Sequence, residues 1–406
     1  MSTYWQRVGQ IWQAFLLLGL TSFGGPMAHI AYFRQAFVSK RGWISEQGFA
    51  QLLALSQFLP GPASSQLGFL IGYHRAGVFG ALLAFAAFTL PSVLLLIAYA
   101  KFSTALSPFW QQSLLGGLKI LALVIVCDAC WGMGRNFCRE TKALLLTFVV
   151  FVALIIFPTW PWLAISLGAV FGLVFFSGAG EVGYEAKAAL KEGGLVRSYA
   201  AGSYKRSLLL LAVFIFLLLL SYTLLPDTLL ARLALLCYQS GALVFGGGHV
   251  VLPLLEVPVV QAGMLTNDDF LAGYGATQLV PGPMFSFAAF LGAKISQTQP
   301  IMAALIATLC IFLPGFLLVL AALPLWHKYM AQRHLAGVIH GVNAAVVGLL
   351  AALIFTTLIP SAIHGPQDGV FAALVFMLFK ALRWPIPVLA LVCCSFTALF
   401  NFFTGY

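Results

Sequence analysis

Long runs of apolar residues, separated by short polar turns, follow one another along almost the whole chain. A helix needs about 20 apolar residues to cross the hydrocarbon core of a bilayer. The longest charged stretch, residues 180–206, separates the sixth run from the seventh. This pattern predicts an all-α polytopic membrane protein. About thirteen transmembrane segments are expected, at roughly 9–33, 48–72, 76–101, 108–133, 142–158, 160–178, 207–225, 229–252, 268–295, 299–324, 335–360, 368–381 and 386–404.

Glycine and proline interrupt four of these runs. Two runs contain a glycine pair, in FGGPMAHI at residues 23–30 and in FGGGHVVL at residues 245–252. Two others contain Pro-Gly-Pro, at residues 60–62 and 281–283. Both residue types are costly inside a helix, proline more so than glycine. The helices are therefore expected to be broken at these four points.

The four interruptions belong to an internal repeat. The glycine pairs are 222 residues apart, the Pro-Gly-Pro motifs are 221 apart, and two later Leu-Pro pairs, at 90–91 and 313–314, are 223 apart. Chance similarity between apolar helices would not keep these motifs in register. Taken singly, each motif also fits a plainer interpretation, in which glycines allow close helix packing and prolines kink a helix.

The repeat divides the chain into three parts. These are a first repeat at 1–178, a polar linker with one transmembrane helix at 179–228, and a second repeat at 229–406. The two repeats begin seven predicted crossings apart, which is an odd number. The second repeat is therefore expected to run upside down relative to the first, as in many secondary transporters with interrupted helices.

Composition agrees with a membrane protein. The 406 residues are 61% hydrophobic and 8% charged, with a mean hydropathy of +0.99, whereas ordinary soluble domains are about a quarter charged. The net charge of +10 comes mostly from basic residues in short loops. A nucleic-acid partner is not expected, because no basic stripe is interleaved with aromatic residues. The expected surroundings are lipid, and a homodimer is compatible with the sequence.

The distribution of lysine and arginine predicts a cytoplasmic N-terminus. The exceptions are Arg34, Lys40 and Arg41, which follow the first glycine pair and fall on the outer side by the count of crossings. Two arrangements fit these residues. Either they form a basic mouth on the outer face, or the broken segment is a re-entrant hairpin that returns to the inner face.

The interruptions point to anion binding. A broken helix leaves free N–H groups at the start of one half-helix. These groups and the helix dipole bind anions, and glycine lets a ligand approach the backbone. Four breaks paired by the repeat are expected to meet near the middle of the bilayer. The residues expected to bind substrate are Gly24, Gly25, His29, Arg34, Gln57, Pro60, Gly61, Pro62, Gly246, Gly247, His249, Gln278, Pro281, Gly282 and Pro283.

Ionisable residues near the breaks suggest further roles. Arg34 is expected to pair with an oxyanion, so that its replacement by alanine abolishes transport. The alternative is that its side chain only extends to the membrane–water interface. Glu256 or a histidine is expected to carry a proton, unless the carboxylate only caps a loop. Asp128 lies nine residues after Lys119 and so points to the opposite face of the helix. Lys119 is therefore expected to be unpaired or to line an ion pathway, with Asn343 as its counterpart in the repeat.

The sequence offers no sign of an enzyme. It contains no P-loop, no Gly-x-Ser-x-Gly elbow and no His-Glu-x-x-His motif. Cys127 and Cys130 form one Cys-x-x-Cys pair, but no second pair stands at zinc-ligand spacing. Both lie in an apolar run and are expected to pack between helices. No metal or cofactor is expected.

Together these motifs resemble the chromate ion transporter (CHR) family. The resemblance rests on FGGPMAHI, on Gly42-Trp43-Ile44-Ser45 with Phe49, and on LPGPASSQLGFLIGY followed by HRAG. FGGGHVVL and LVPGPMFSFAAFLGA resemble the second domain of the long, two-domain members. The family's motif residues fall on Gly24, Gly25, Pro26, His29, Arg34, Trp43, Gln57, Pro60, Gly61, Pro62, Gly246, Gly247, His249, Pro281, Gly282 and Pro283.

The resemblance implies a secondary transporter that exports chromate across the bacterial inner membrane, driven by the proton motive force. One departure is Leu255, which stands where Arg34 aligns, so the second half lacks that cation. Chromate and sulfate have the same charge and shape, so a carrier of sulfate or another oxyanion is an alternative. A passive anion channel is a second alternative, and a structural subunit of a larger complex is a third.

Overall fold

A computed structural model of the chain describes residues 3–103, 105–176, 204–224, 226–326 and 333–404, and the regular secondary structure of these residues is entirely helical. Most of the polar linker, residues 180–203, lies outside the described residues. By length and composition, six of the described helices are able to cross a membrane. The prediction of an all-α polytopic membrane protein is confirmed.

The helices of the first half are α1 (Tyr4–Thr21), α2 (Gly25–Phe33), α3 (Glu46–Phe58), α4 (Ala63–Phe102), α5 (Pro108–Phe137), α6 (Thr141–Ile156) and α7 (Trp162–Phe175). A π-helical turn, Arg34–Lys40, extends α2. Non-helical backbone at residues 76 and 77 divides α4 into two parts.

The helices that follow are α8 (Tyr204–Thr223), α9 (Leu229–Ala242), α10 (Val251–Glu256), α11 (Asn267–Thr277), α12 (Phe287–Ile295), α13 (Pro300–Ala322), α14 (Arg333–Leu353), α15 (Ile359–Ala362), α16 (Pro366–Lys380) and α17 (Ile386–Thr404). Short 3-10 turns, Gly248–Val250 and Met284–Ser286, precede α10 and α12. Further π turns, Val257–Gln261 and Ile354–Leu358, follow α10 and α14.

Each of the four interrupted runs is two short helices rather than one continuous helix. We call the intervening residues the four tips: 22–24, 59–62, 243–247 and 278–283. A glycine with positive φ lies in each tip, namely Gly24 (100°), Gly61 (122°), Gly246 (77°) and Gly282 (106°). A β-carbon is unfavourable in this left-handed region, so the chain needs glycine at these turns.

In the first half, the two interrupted runs fold as hairpins whose ends return to one end of the molecule. Arg75, at the close of the second hairpin, donates a hydrogen bond to Gln10 in α1 (3.0 Å). The guanidinium groups of Arg41 and Arg75 lie 5.8 and 5.0 Å from the centre of the Trp43 ring. The start of α1, the loop between the hairpins and the close of the second hairpin therefore lie together. We call this the Trp43 end.

The hairpins decide where the basic residues after the first glycine pair lie. Arg41 shares the Trp43 ring with Arg75, and Arg7 is close enough to Arg75 for their charges to repel. The sequence assigned Arg7 and Arg75 to the inner face of the membrane and Arg41 to the outer face, but the three residues lie at the same end of the molecule. Of the two arrangements that fit the sequence, the structure has the re-entrant hairpin.

The second hairpin of the second half opens at the other end of the molecule. The second part of α4, about 25 residues and so roughly 37 Å long, leads away from the Trp43 end. Beyond it, Ser103 accepts a hydrogen bond from Lys294 (3.3 Å), whose Nζ also lies 3.1 Å from Asp269 Oδ1. Asp269 is near the start of the α11–α12 hairpin and Lys294 is near its close. We call this opposite end the Lys294 end.

The remaining helices cross over between the halves. α5 of the first half packs on α16 and α17 of the second, while α14 of the second packs on α6 and α7 of the first. Glycine allows the close approach, since a β-carbon on Gly117 would lie 2.6 Å from Cα of Cys394. In the other pair, a β-carbon on Gly168 would lie 2.8 Å from the carbonyl oxygen of Gly341. The two halves therefore form one intertwined body.

Thiol labelling tests the hairpins. Lys40→Cys and Thr298→Cys place a thiol at exposed positions, one at each end of the molecule. A membrane-impermeant thiol reagent is expected to label one variant only in inside-out vesicles and the other only in right-side-out vesicles. The unsubstituted protein is the control, because its seven cysteines are buried or half-buried. Labelling of both variants from the same face would contradict the hairpins.

Candidate functional site

The four tips meet between the middle of α4 and the middle of α13, and each half hydrogen-bonds the other there. The backbone N–H of Gly61 donates to the carbonyl of Val244 (2.8 Å), and that of Gly282 donates to the carbonyl of Ser22 (3.0 Å). The repeat relates Gly61 to Gly282 and Ser22 to Val244. The bonds therefore run both ways, from each Pro-Gly-Pro to the residue before the other half's Phe-Gly-Gly.

Repeat-related prolines, Pro91 in α4 and Pro314 in α13, stand at the level of the tips. Proline has no N–H, so a carbonyl in the preceding turn loses its helical partner. The neighbouring helices approach closely here. A β-carbon on Gly19 of α1 would lie 2.6 Å from the carbonyl oxygen of Phe88, and Gly241 of α9 makes the related contact with α13. Small residues thus let the hairpins lie directly against both supporting helices.

Three helix starts meet beside these bonds. A β-carbon on Gly248 would lie 3.0 Å from Met284 Sδ and 3.4 Å from Pro26 Cγ, and one on Gly25 would lie 3.8 Å from the same sulfur. Gly25 begins α2, and Gly248 and Met284 begin the 3-10 turns before α10 and α12. No described side chain caps any of the three. The three helix starts therefore lie close together, and the first N–H groups of each lack intrahelical partners.

His29 supports the tip of the first half. Its buried ring has Nε2 3.3 Å from the carbonyl oxygen of Ser22 and Nδ1 3.4 Å from Ser64 Oγ. A carbonyl only accepts, so Nε2 carries the proton, and the neutral ring then accepts at Nδ1 from the serine hydroxyl. The Ser22 carbonyl is thus bonded by both His29 and Gly282. His29 therefore helps to orient the Ser22 carbonyl, which accepts the hydrogen bond from Gly282 of the other half.

His249 occupies a different place in its half, because the repeat aligns it with Met27. It is half-buried, with Nδ1 2.6 Å from Tyr274 Oη. Asp128 is near enough to act electrostatically on the ring, and Asp128 accepts a hydrogen bond from Lys380 (2.5 Å). His249 therefore joins the tip region of the second half to Tyr274 of α11, and the charged pair of α5 and α16 lies nearby.

The two glutamines before the Pro-Gly-Pro motifs differ in environment. Gln57 is exposed, whereas Gln278 is buried and its Nε2 has no hydrogen-bond partner among the described residues. The repeat predicted equal roles for them. In this structure only Gln278 places an unused donor inside the protein beside the tips.

Gln66 and Ser65 are buried polar residues that the sequence analysis missed. Gln66 Nε2 donates to the carbonyls of Pro60 (2.8 Å) and Gly315 (3.3 Å), so it joins the two halves. Its Oε1 and the Ser65 hydroxyl are buried without a described partner. The repeat gave no signal for Gln66, since its counterpart is Phe287. Unused buried polar atoms such as these are available to a ligand or to water.

Arg34 and Glu256 have opposite environments. Arg34 Nε lies 2.6 Å from Glu46 Oε1, and both side chains are more than half exposed. An oxyanion at Arg34 would have to compete with this carboxylate. Glu256, at the end of α10, is buried, and no described side chain pairs with it. The structure therefore does not bring Arg34 to the tips, and it leaves Glu256 as an isolated carboxyl.

The prediction that Lys119 is unpaired is wrong. Its Nζ lies 2.9 Å from Asp268 Oδ1 and its side chain is only 9% exposed. Asp268 is 149 residues away, so no spacing within α5 could reveal the pair. Asn343, the counterpart of Lys119, is buried with Oδ1 lacking a described partner. A β-carbon on Gly246 would lie 2.9 Å from that oxygen, which places Asn343 beside the tip.

Comparison with known proteins identifies the family. The sequence profile of the chromate transporter family matches residues 9–173 and 231–399, one match in each half. The chain belongs to the chromate transporter family. Members of this family are membrane transporters rather than enzymes, in agreement with the apolar helices of the fold.

Individual relatives match either most of this chain or less than half of it. A probable chromate transport protein of Synechococcus elongatus is 28% identical over 85% of this chain and 83% of its own. The chromate transport protein of Cupriavidus metallidurans is 26% identical over 94% of this chain and 90% of its own. The uncharacterized transporter YwrA of Bacillus subtilis is 25% identical over 40% of this chain and 93% of its own. No solved structure matches.

Two glycine substitutions test the tips. Gly246 and Gly263 have φ values of 77° and 70°, so alanine costs about 1–2 kcal/mol of backbone strain at either. A β-carbon on Gly246 would lie 2.6 Å from Met133 Cε, whereas one on Gly263 meets nothing within 4 Å. Gly246→Ala is expected to lower anion uptake by vesicles, normalised to protein amount, because the Met133 and Asn343 side chains must shift beside the tip, and Gly263→Ala is expected to preserve uptake. Equal loss in both would assign the effect to strain rather than to the tip.

Proposed function

We propose that the protein is a secondary active transporter that exports chromate from the bacterial cytoplasm across the inner membrane, coupled to the proton motive force. The observation that carries the proposal is the meeting of three uncapped helix starts at Gly25, Gly248 and Met284. Free N–H groups at helix starts bear partial positive charge, which suits a tetrahedral dianion. Family membership supports chromate as the ion.

Neutral donors suit a transport site because the ion must leave as readily as it enters. N–H groups and the unused polar atoms of Ser65, Gln66 and Gln278 replace the hydration of the anion without placing a full charge at the tips. A buried arginine or lysine would hold a dianion far more tightly. The two cations that the sequence suggested for the site, Arg34 and Lys119, already pair with the carboxylates of Glu46 and Asp268.

We assign residues 1–178 and 229–406 as inverted repeats, with 179–228 as the inverting linker. The support is that the hairpins of the first half open at the Trp43 end, whereas the α11–α12 hairpin opens at the Lys294 end. This support does not depend on counting crossings. The half-length relative YwrA also fits one repeat as a unit.

We assign the Trp43 end to the cytoplasm, which places the N-terminus there. Arg7, Lys40, Arg41 and Arg75 lie at this end, and no described carboxylate forms an ion pair with any of them. Unpaired basic residues of membrane proteins concentrate on the cytoplasmic side. Chromate would thus enter from the more basic end of the molecule.

Glu256 is the proton carrier that we favour among the three candidates. Lys119 is held by Asp268, and the Asn343 amide has no proton to exchange at ordinary pH. Glu256 is buried at the end of α10, the helix that follows the second glycine pair, and no described side chain pairs with it. Isolated carboxyls inside membranes commonly belong to proton pathways.

Chromate flux tests the proposal. Radiolabelled chromate is expected to enter inside-out vesicles in a saturable manner, faster with a proton gradient, and Glu256→Gln is expected to remove the gradient dependence. Vesicles without the protein are the control, and excess sulfate measures selectivity. Labelled sulfate moving in place of chromate would overturn the substrate. A non-saturating flux that ignores the gradient would indicate an anion channel.

A further inference from the structure

The two ends of the molecule are closed to different extents. At the Lys294 end, α11 packs along α5, and Gly275 allows this because a β-carbon there would lie 2.5 Å from the carbonyl oxygen of Leu118. The first turn of α11 is bonded across the same contact. Asp268 pairs with Lys119 of α5 (2.9 Å), and Asn267 Nδ2 donates to Ser361 Oγ of α15 (2.6 Å).

The repeat predicts the same packing at the Trp43 end, but the structure does not have it. The related helices are α3 and α14, and within the described residues they make almost no contact. Gln47 is related to Asp268, and Asn343 is related to Lys119. The Asn343 side chain is only 6% exposed, yet its Oδ1 has no described hydrogen-bond partner.

The chemistry of the two contacts also differs. The contact at the Lys294 end has a charged pair, with Lys119 nearly buried, and a glycine at the closest approach. Its counterpart at the Trp43 end would have two amides and Ala54 in place of Gly275. A partly buried, hydrogen-bonded ion pair is stronger than a hydrogen bond between neutral amides. The fold thus favours closure at the Lys294 end over closure at the Trp43 end.

We propose that these two contacts alternate during transport. When α11 separates from α5, α3 docks on α14 and the Gln47 amide donates to Asn343 Oδ1, so that one end closes as the other opens. Lys119, Asp268, Gln47 and Asn343 are therefore positioning residues for the translocation step. The proposal rests on the proposed transporter function for its role, but the exchange of contacts is measurable without chromate.

The direction of the bias follows from the same residues. The resting protein is closed at the Lys294 end by Lys119 and Asp268 and open between α3 and α14. With the Trp43 end in the cytoplasm, the empty carrier waits for its anion on the side from which it exports. Swapping the charges between the two contacts should reverse this preference.

A cysteine on α3 reports the exchange. Ala54 is half-buried and corresponds to the glycine at the closed contact. Ala54→Cys is expected to react with an impermeant thiol reagent from the Trp43 end above the background of the unsubstituted protein, and to be protected once α3 docks on α14. Adding Gln47→Asp with Asn343→Lys builds an ion pair at this contact. That variant is expected to slow the labelling about fivefold or more. The matched control, Gln47→Lys with Asn343→Lys, has two like charges and is expected to leave labelling fast.

A second variant acts from the other contact. Lys119→Met with Asp268→Asn removes the ion pair at the Lys294 end and is expected to slow labelling of Ala54→Cys in the same direction. Its control is Asp269→Asn, which removes an ion pair within the α11–α12 hairpin and leaves the hydrogen bond from Lys294 to Ser103 in place. Labelling that is equally fast in the ion-pair variant, the like-charge variant and the Lys119–Asp268 variant would overturn the alternation. Absence of chromate flux with the expected labelling would instead overturn the substrate alone.

Discussion

Backbone groups at the depth of the hydrocarbon core have no water to bond, so they must find partners in the protein or line a polar site. Breaking four helices there creates many such groups. The chain satisfies part of them reciprocally, with Gly61 bonded to Val244 and Gly282 bonded to Ser22. Because each half completes the other's broken backbone, neither set of hairpins is satisfied alone. The intertwining of α5 and α14 with helices of the opposite half follows the same logic.

The same constraint defines what is left for a ligand. Bonds between the halves use the glycine N–H groups of both Pro-Gly-Pro motifs, whereas the helix starts at Gly25, Gly248 and Met284 have no described cap. The N–H groups of Gly61 and Gly282 thus hold the halves together. Free donors remain where the helices restart, after both glycine pairs and after the second Pro-Gly-Pro.

Sequence reasoning found the breaks but not the path of the chain between them. Gly24, Gly61, Gly246 and Gly282 were predictable, because glycine and proline recur in register at places where a helix cannot tolerate them. Hydropathy cannot distinguish a crossing from a hairpin, since both are apolar and of similar length. The contacts of Arg75 with Gln10 and Trp43 are what define the re-entrant hairpins, and they join residues far apart in the sequence.

Side-chain partners were the least predictable part of the site. Lys119 pairs with a residue 149 positions away, and Arg34 with a glutamate on the next helix, so local spacing gave no warning of either. Gln66 was missed because its counterpart in the second half is the apolar Phe287, and Ser65 because a serine in an apolar run is not distinctive even though Ser286 matches it. The repeat therefore predicts the glycine and proline motifs that the two halves share. Side-chain contacts that occur in one half only are visible in the three-dimensional structure alone.

The central claim is that backbone donors at the tips, rather than basic side chains, hold the anion. The most direct measurement is an experimental structure of the protein with chromate bound in a lipid environment. We expect the anion to lie within hydrogen-bond distance of the N–H groups that begin the helices at Gly25 and Gly248. An anion bound at Arg34 or among the arginines of the Trp43 end, with nothing at the tips, would contradict it.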